Sequence, residues 1–148
     1  MTTITGGVTP YLEVLGRPRD DAAVEALLAA QPGDRRTSKY TDPFTQYEIF
    51  ESAGTSFLFD DDGLSAIFFS LDDIRGFTAH DPAEPLIDGL PARPSFDEVR
   101  AALGEPSTFD EDDFDVYEVD EGTFVHIEYD MDMQGMIVTL MPRLPRES

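Results

Sequence analysis

FLFDDDGLSAI, residues 57–67, predicts a β-hairpin. Two apolar runs flank Asp61-Asp62-Gly63, and an Asp-Gly pair between such runs is a strong short-range signal for two antiparallel strands. Residues 127–137, IEYDMDMQGMI, repeat the order of a β run, an acidic turn, a glycine and a second β run. The second turn is two residues longer. The repeat indicates an internal duplication.

Further β runs extend each hairpin into a three-stranded meander. The strands predicted in the first part are residues 47–52, 55–60 and 64–71, and those in the second part are 114–119, 123–130 and 136–141. Residues 33–44 are polar and show no period, so they are predicted to form a loop that carries Lys39, the only lysine.

A helix is predicted before each meander. Asp20 is the expected N-cap of a helix that runs to about Ala30. Ser95 and Glu98 have the spacing of a capping box, and the helix that they open is predicted to end at Gly104.

These elements predict an α+β domain that spans residues 1–148. Its two halves, about 9–71 and 95–141, are each a helix plus a three-stranded meander, and the Pro-rich segment 72–94 joins them. The halves are expected to form an antiparallel sheet with helices on one face. Thr9-Pro10 is expected to start an additional short helix, with Thr9 as its cap.

Charge limits the possible partners. The 31 acidic and 10 basic residues give a formal net charge of -21. Phosphates would be repelled, which argues against nucleic acid and against anionic membranes. Cationic partners are favoured, because long-range attraction speeds their association. The alternative is that the acidity serves only solubility.

Cysteine is absent, which excludes disulfides, a thiolate nucleophile and a Cys-ligated metal. Residues 1–8 contain no basic stretch and no long apolar stretch, so no signal peptide is predicted. No apolar run approaches membrane-spanning length. The cytoplasm is the expected location.

No catalytic, cofactor-binding or metal-binding residue is predicted, and the chain is not expected to be an enzyme. His80 and His126 lie far apart and lack the spacing of a zinc motif. Residues 130–135 match the start of a calcium loop, but Met141 occupies the position where a bidentate Glu is needed. Motifs of serine hydrolases and of nucleotide-binding loops are absent as well.

A partner-binding surface is predicted around the densest acidic run and the second strand of the second meander. Residues 101–142 contain twelve acidic side chains and no Lys or Arg. Self-repulsion in such a run is relieved by a basic partner, although a solvated loop is the alternative. The predicted contact residues are Asp110, Asp112, Asp113, Asp115, Tyr117, Phe124, His126 and Glu128.

A family resemblance rests on residues 86–91 and 95–106, LIDGLP and SFDEVRAALGEP. They are similar to a "gLP-x-gL" phrase followed by "s-x-x-e-V-r-x-x-L-G-x-P" in small bacterial proteins of polymorphic-toxin and type VI secretion loci. The resemblance continues in residues 127–130 and 138–141, IEYD and VTLM, and in the first half in YLEVLG and GTSFLF.

This resemblance implies an immunity protein, which binds and neutralises a cognate toxin by occlusion. The partner would be a protein toxin, expected to have a basic active-site cleft. The helix-plus-meander repeat also resembles the β-lactamase inhibitory protein and the outer-membrane assembly lipoprotein BamE. A BamE-like scaffold is therefore an alternative, although the lipid-bearing cysteine of the lipoproteins is missing. A metal-dependent hydrolase that uses the clustered aspartates is a third possibility.

Overall fold

The computed structural model describes residues 2–80, 85–120 and 122–142. Within them the strands are β1 (Arg36–Thr41), β2 (Phe44–Phe50), β3 (Thr55–Asp60), β4 (Gly63–Ser70), β5 (Thr108–Asp110), β6 (Phe114–Asp120), β7 (Thr123–Tyr129) and β8 (Gly135–Met141). The helices are α1 (Thr9–Leu12), α2 (Ala22–Ala30) and α3 (Phe96–Leu103), and a 3-10 turn spans Glu51–Ala53. All strands join one antiparallel sheet in the order β1-β2-β3-β4-β8-β7-β6-β5.

The predicted architecture of two helix-plus-three-stranded halves with helices on one face is wrong. The chain forms a single sheet, to which each half contributes four strands, because β1 and β5 pair with β2 and β6. β1 lies within residues 33–44, where a loop was predicted. This edge strand is exposed along nearly its whole length, so its sequence lacks the alternation that marks a half-buried strand.

The helices are too short to form the predicted covering layer. Eight strands span about 34 Å at a spacing of about 4.8 Å, whereas the nine residues of α2 extend only about 13 Å. Connecting segments therefore supply much of the hydrophobic core. The buried apolar residues outside the helices and strands are Ile4, Val8, Val14, Leu71, Leu86, Ile87 and Leu90.

The helix starts follow local capping chemistry. The capping box is confirmed: Glu98 N donates to Ser95 Oγ at 3.2 Å, and Ser95 N donates to Glu98 Oε1 at 2.9 Å. Asp21 caps α2 in place of the predicted Asp20, because its carboxylate accepts from the first free amides of the helix. α1 begins at Thr9 itself, so Thr9 is not its cap.

The predicted linker 72–94 falls partly outside the described residues, which omit 81–84. Its later part reaches the core through Leu86, Ile87 and Leu90, which are each less than a tenth exposed. Among the described helices, none has the length and apolar character needed to cross a membrane.

A local pseudo-twofold axis relates the two sets of four strands. It passes between β4 and β8, where Phe68 pairs with Thr139. The axis exchanges two cross-strand pairs: the pair of Ile67 and Leu140 is superposed on the pair of Val138 and Phe69. In the flanking hairpins, Phe57 pairs with Ile67 and Ile127 pairs with Val138, as this relation requires.

The irregularities of the two hairpins obey the same relation. The register shifts between Leu58 and Phe59 in one hairpin and between Glu128 and Tyr129 in the other. The turns that follow are also alike. The Asp60 carboxylate accepts from the amide two residues ahead at 2.8 Å, and the Asp130 carboxylate does so at 2.9 Å. The two halves therefore match residue by residue through the inner strands.

Leu140→Ala should lower the free energy of unfolding by about 2–5 kcal/mol, because the side chain is fully buried where the two halves meet. Met141→Ala is the matched control, since Met141 is the next residue, lies on the opposite face and is half-buried; its cost should be roughly 1 kcal/mol or less. Urea titrations followed by circular dichroism and tyrosine fluorescence measure both. A single sheet predicts coincident curves, and two separate transitions would contradict it.

Candidate functional site

The face of the sheet opposite the core is the candidate site, and we call it the open face. Strand register places one row of residues straight across it: Arg36, Ile49, Ser56, Phe68, Thr139, His126, Val116 and Thr108. The pseudo-twofold axis passes through the middle of this row, between Phe68 and Thr139. Each half of the open face thus offers equivalent positions for side chains.

Apolar side chains dominate the open face. Those that are half-buried and reach solvent are Tyr47, Ile49, Leu58, Phe68, Phe114, Phe124, Ile137 and Met141. An antiparallel sheet with one face in water normally alternates apolar residues on the core side with polar residues outside. A contiguous apolar patch on an exposed face marks an interaction site.

The C-terminal half of the open face centres on His126. Its ring centroid lies 4.7 Å from that of Phe114, and its Nδ1 lies 3.6 Å from Glu128 Oε1. Burial lowers the pKa of His126, and the negative charges of Glu128 and Asp113 offset this only in part. The imidazole is therefore neutral near pH 7, and it packs against the tilted ring of Phe114 to form a largely apolar surface.

The acidic run borders this surface. Asp110 ends β5, residues 111–113 form the turn to β6, and all four are exposed. In the described part of the chain, none of their carboxylates takes part in an ion pair. The predicted contacts Asp110, Asp112 and Asp113 thus lie together beside the open face, which carries Phe124, His126 and Glu128.

Asp115 and Tyr117, by contrast, lie inside the protein and not on the predicted partner-binding surface. Both side chains are fully buried on the core side of β6. Asp115 accepts from Arg100 Nη2 at 2.7 Å, from Arg100 Nε at 3.0 Å and from the Tyr129 hydroxyl at 2.9 Å. The Tyr117 hydroxyl donates to the Gly104 carbonyl at 2.9 Å, and burial raises the pKa of Tyr117 to about 12.

Glu48 is a second buried carboxylate, and sequence reasoning missed it. It lies on the core side of β2 and is 1% exposed. Arg35 Nε donates to it at 2.7 Å, Thr37 Oγ1 at 2.8 Å and Gln46 Nε2 at 2.8 Å. Burial alone would raise the pKa of Glu48, but the hydrogen bonds and the charge of Arg35 hold it below its ordinary value.

The two buried carboxylates occupy equivalent positions of the pseudo-twofold. Glu48 pairs with Phe57 across the strands, and Asp115 pairs with Ile127, the counterpart of Phe57. Each carboxylate is saturated by donors of the chain itself. Glu48 holds the edge strand β1 through its hydrogen bonds with Arg35 and Thr37, and Asp115 holds α3 through its ion pair with Arg100. Both are structural groups, and their charges are not available to a ligand.

Metal ligation finds no support in the geometry of the described residues, which contain no suitable group of three or more His, Asp or Glu. Asp130, the first residue of the calcium-like segment, accepts from the amides of Asp132 and Gln134 at 2.9 and 3.0 Å and pairs with Arg93. The backbone bonds, chiefly that from Gln134, lower the pKa of Asp130. These bonds organise the turn before β8.

Asp115→Asn should lower the free energy of unfolding by about 3–5 kcal/mol, because it leaves the guanidinium of Arg100 with only the exposed Glu105 as a charged partner. Asp112→Asn makes the same chemical change at an exposed position and should cost about 0.5 kcal/mol or less. Urea unfolding at pH 7 compares them. Equal stability of the two variants would show that Asp115 is not the buried anchor described above.

Glu48 should contribute to acid sensitivity. Its folded-state pKa lies below its unfolded value of about 4.3, so its stabilisation is complete above that pH and is lost as the pH falls through the folded-state pKa. Glu48→Gln should therefore be destabilised at pH 7 and should lose less stability than the wild type between about pH 4.5 and 3. Urea midpoints across this range measure the difference. Exposed Glu25→Gln is the control, and an identical slope in all three proteins would contradict the prediction.

No protein-family model, curated protein or solved structure matches this chain. The resemblance to immunity proteins, to the β-lactamase inhibitory protein and to BamE therefore stays a prediction.

Proposed function

We propose that this protein is a non-enzymatic binding protein of the immunity type, which occludes a cognate toxin with the open face of its sheet. The observation that carries the proposal is the band of half-buried apolar side chains across the open face, bordered by exposed acidic residues without ion-pair partners in the described part of the chain. We place this activity in the cytoplasm.

The apolar band supplies the binding energy in this proposal. Phe114 and Phe124 lie on adjacent strands on either side of His126, and the neutral imidazole costs less to desolvate than a charged one. Aromatic groups at the centre of an interface, ringed by polar residues that exclude water, are the usual arrangement of a hot spot. Glu128 and the acidic turn form such a rim here.

In this proposal the acidic residues 110–113 speed association with the partner and select for a basic surface. Residues 110–113 place four of the chain's negative charges together at one edge of the open face, and the net charge of the whole chain is -21. Such a field steers a basic surface toward the site and repels acidic competitors. A toxin that acts on a phosphate-bearing substrate needs a basic cleft, and an acidic inhibitor would cover it.

Rigidity suits occlusion. The open face is built on one continuous sheet, in which both buried carboxylates hold their neighbouring elements by charge-assisted hydrogen bonds. Little order then has to be gained on binding, so more of the contact energy remains as affinity.

The direct test uses the product of the reading frame next to the gene. The tagged protein should capture this product in a one-to-one complex, more strongly at low salt than at high salt, and co-expression should remove the product's toxicity. A product that is neither captured nor neutralised at any salt concentration would contradict the proposal.

Asp110→Asn, Asp112→Asn and Asp113→Asn together should slow association with the captured product roughly 10-fold at low salt, with little change in dissociation, because steering acts on the encounter. The control combines Asp20→Asn, Glu25→Gln and Asp61→Asn, which change the net charge equally at exposed positions outside β5 and β6. Stopped-flow or surface-based kinetics at several salt concentrations measure both. Equal association rates for the two triple variants would show that residues 110–113 do not steer the partner.

A further inference from the structure

The N-terminal half of the open face contains a cleft beside the pseudo-twofold axis. It has a volume of about 290 Å³, and its walls include Tyr47, Ser56, Phe68, Arg75, Phe77 and Ile137. A cavity of roughly 150 Å³ accommodates a benzene ring, so this cleft has room for one large apolar side chain.

A tight turn beyond the end of β4 builds the outer wall. Phe77 N donates to the Ile74 carbonyl at 2.8 Å, and Ile74 N donates back to the Phe77 carbonyl at 3.1 Å. The two residues between them, Arg75 and Gly76, have φ of 51° and 89°. Positive φ at both central positions closes the turn tightly and places Arg75 at its tip, beside the cleft.

Positive charge gathers at the mouth of the cleft. Arg75 is exposed and has no ion pair in the described part of the chain. Arg36 lines the adjoining depression together with Tyr47 and Phe77, and its side chain is 58% exposed. Its contact with Glu51 is 3.3 Å long and solvent-exposed, so a better partner can replace it at little cost.

The two halves of the open face carry different charges at equivalent positions, because Arg36 corresponds to neutral Thr108 and neutral Ser38 corresponds to Asp110. Arg36 pairs with Ile49, whose counterpart Val116 pairs with Thr108. Ser38 pairs with Tyr47, whose counterpart Phe114 pairs with Asp110. The same scaffold therefore presents arginine beside an aromatic cleft at one end and carboxylates beside an aromatic surface at the other.

We infer that the cleft binds a segment of the partner protein in which an aromatic or large aliphatic side chain stands next to a carboxylate. The apolar side chain would fill the space between Tyr47, Phe68 and Phe77, and the carboxylate would pair with Arg75. Planar guanidinium groups bind carboxylates with two parallel hydrogen bonds, so the contact is directional. This inference rests on the proposed function and names what the partner presents at the second end of the open face.

The pairing would fix the orientation of the partner. An acidic group is repelled by most of this protein, because the net charge is -21. At the arginine-bearing cleft it is attracted by Arg75 and Arg36. A partner with a basic surface and one acidic-apolar segment is therefore favoured in the placement that puts its basic part over residues 110–113.

The test uses three capped dipeptides as probes: acetyl-Phe-Glu-amide, acetyl-Phe-Gln-amide and acetyl-Phe-Lys-amide. Each is titrated to millimolar concentration into the full-length labelled protein at about 150 mM salt, and the aromatic and methyl signals of Tyr47, Phe68, Phe77 and Ile137 are followed by NMR. The Glu peptide should shift these signals with an affinity at least about threefold higher than the Gln peptide. The Lys peptide should bind most weakly, although net charge alone predicts that it binds best.

Arg75→Asn removes the charge and keeps the turn, since Asn adopts positive φ more readily than most residues. It should abolish the preference for Glu over Gln. Arg19→Asn makes the same charge change at another exposed residue and should leave the preference intact.

The inference is overturned if no peptide shifts the cleft signals, if Glu and Gln peptides bind equally, or if Arg75→Asn changes nothing. Failure of the proposed function would look different. In that case the peptides would still discriminate at the cleft, but the neighbouring gene product would not be captured.

Discussion

The pairing of β4 with β8 is the contact on which the rest of the structure depends. It joins the last strand of each half, so neither of these strands is an edge, and the sheet ends instead at the short or polar strands β5 and β1. Exposed edges invite aggregation, and short or charged edge strands suppress it. Because Ile67, Leu140 and their neighbours are fully buried at this joint, the two halves share one core, and their open faces merge into one surface.

The open face combines two chemistries because the halves match in backbone and differ in side chains. At equivalent positions Tyr47 pairs with a serine and Phe114 pairs with Asp110, and the turn after the first meander adds Arg75. Aromatic groups occur at both ends, but the charge beside them reverses. A surface of this kind binds with apolar contact at its centre and selects the orientation of its partner by charge at its ends.

The sequence predicts the features that local chemistry controls. The hairpin around Asp62-Gly63 and the capping box at Ser95 follow from turn and cap geometry, and both are present in the structure. In β7 the buried Val125 and Ile127 alternate with the half-buried Phe124 and His126, as the period of two in a strand requires. β1 was not predicted, because an exposed edge strand has no apolar period. The predicted layer of covering helices was wrong, because Leu86 and Ile87 enter the core from a segment without helical periodicity.

The site was predictable only in part for a related reason. Asp115 belongs to a run of exposed acids in sequence, yet the strand alternation turns it toward Arg100, whose distance in the chain gives no sign of contact. Glu48 stands out in no motif, and only the fold brings Arg35, Thr37 and Gln46 around it. A binding role of Arg75 could not be predicted from the sequence, because only the fold places the turn at residues 74–77 beside Tyr47 and Phe68.

NMR cross-saturation in the complex with the captured partner shows whether the open face is the binding surface. Saturation of the unlabelled partner reports which side chains of the labelled protein touch it. We expect attenuation of Phe68, Ile137, His126 and Phe124, with Ile67 and Ile127 on the core side unaffected. Attenuation confined to the helices or to the segment around residues 16–20 would contradict it.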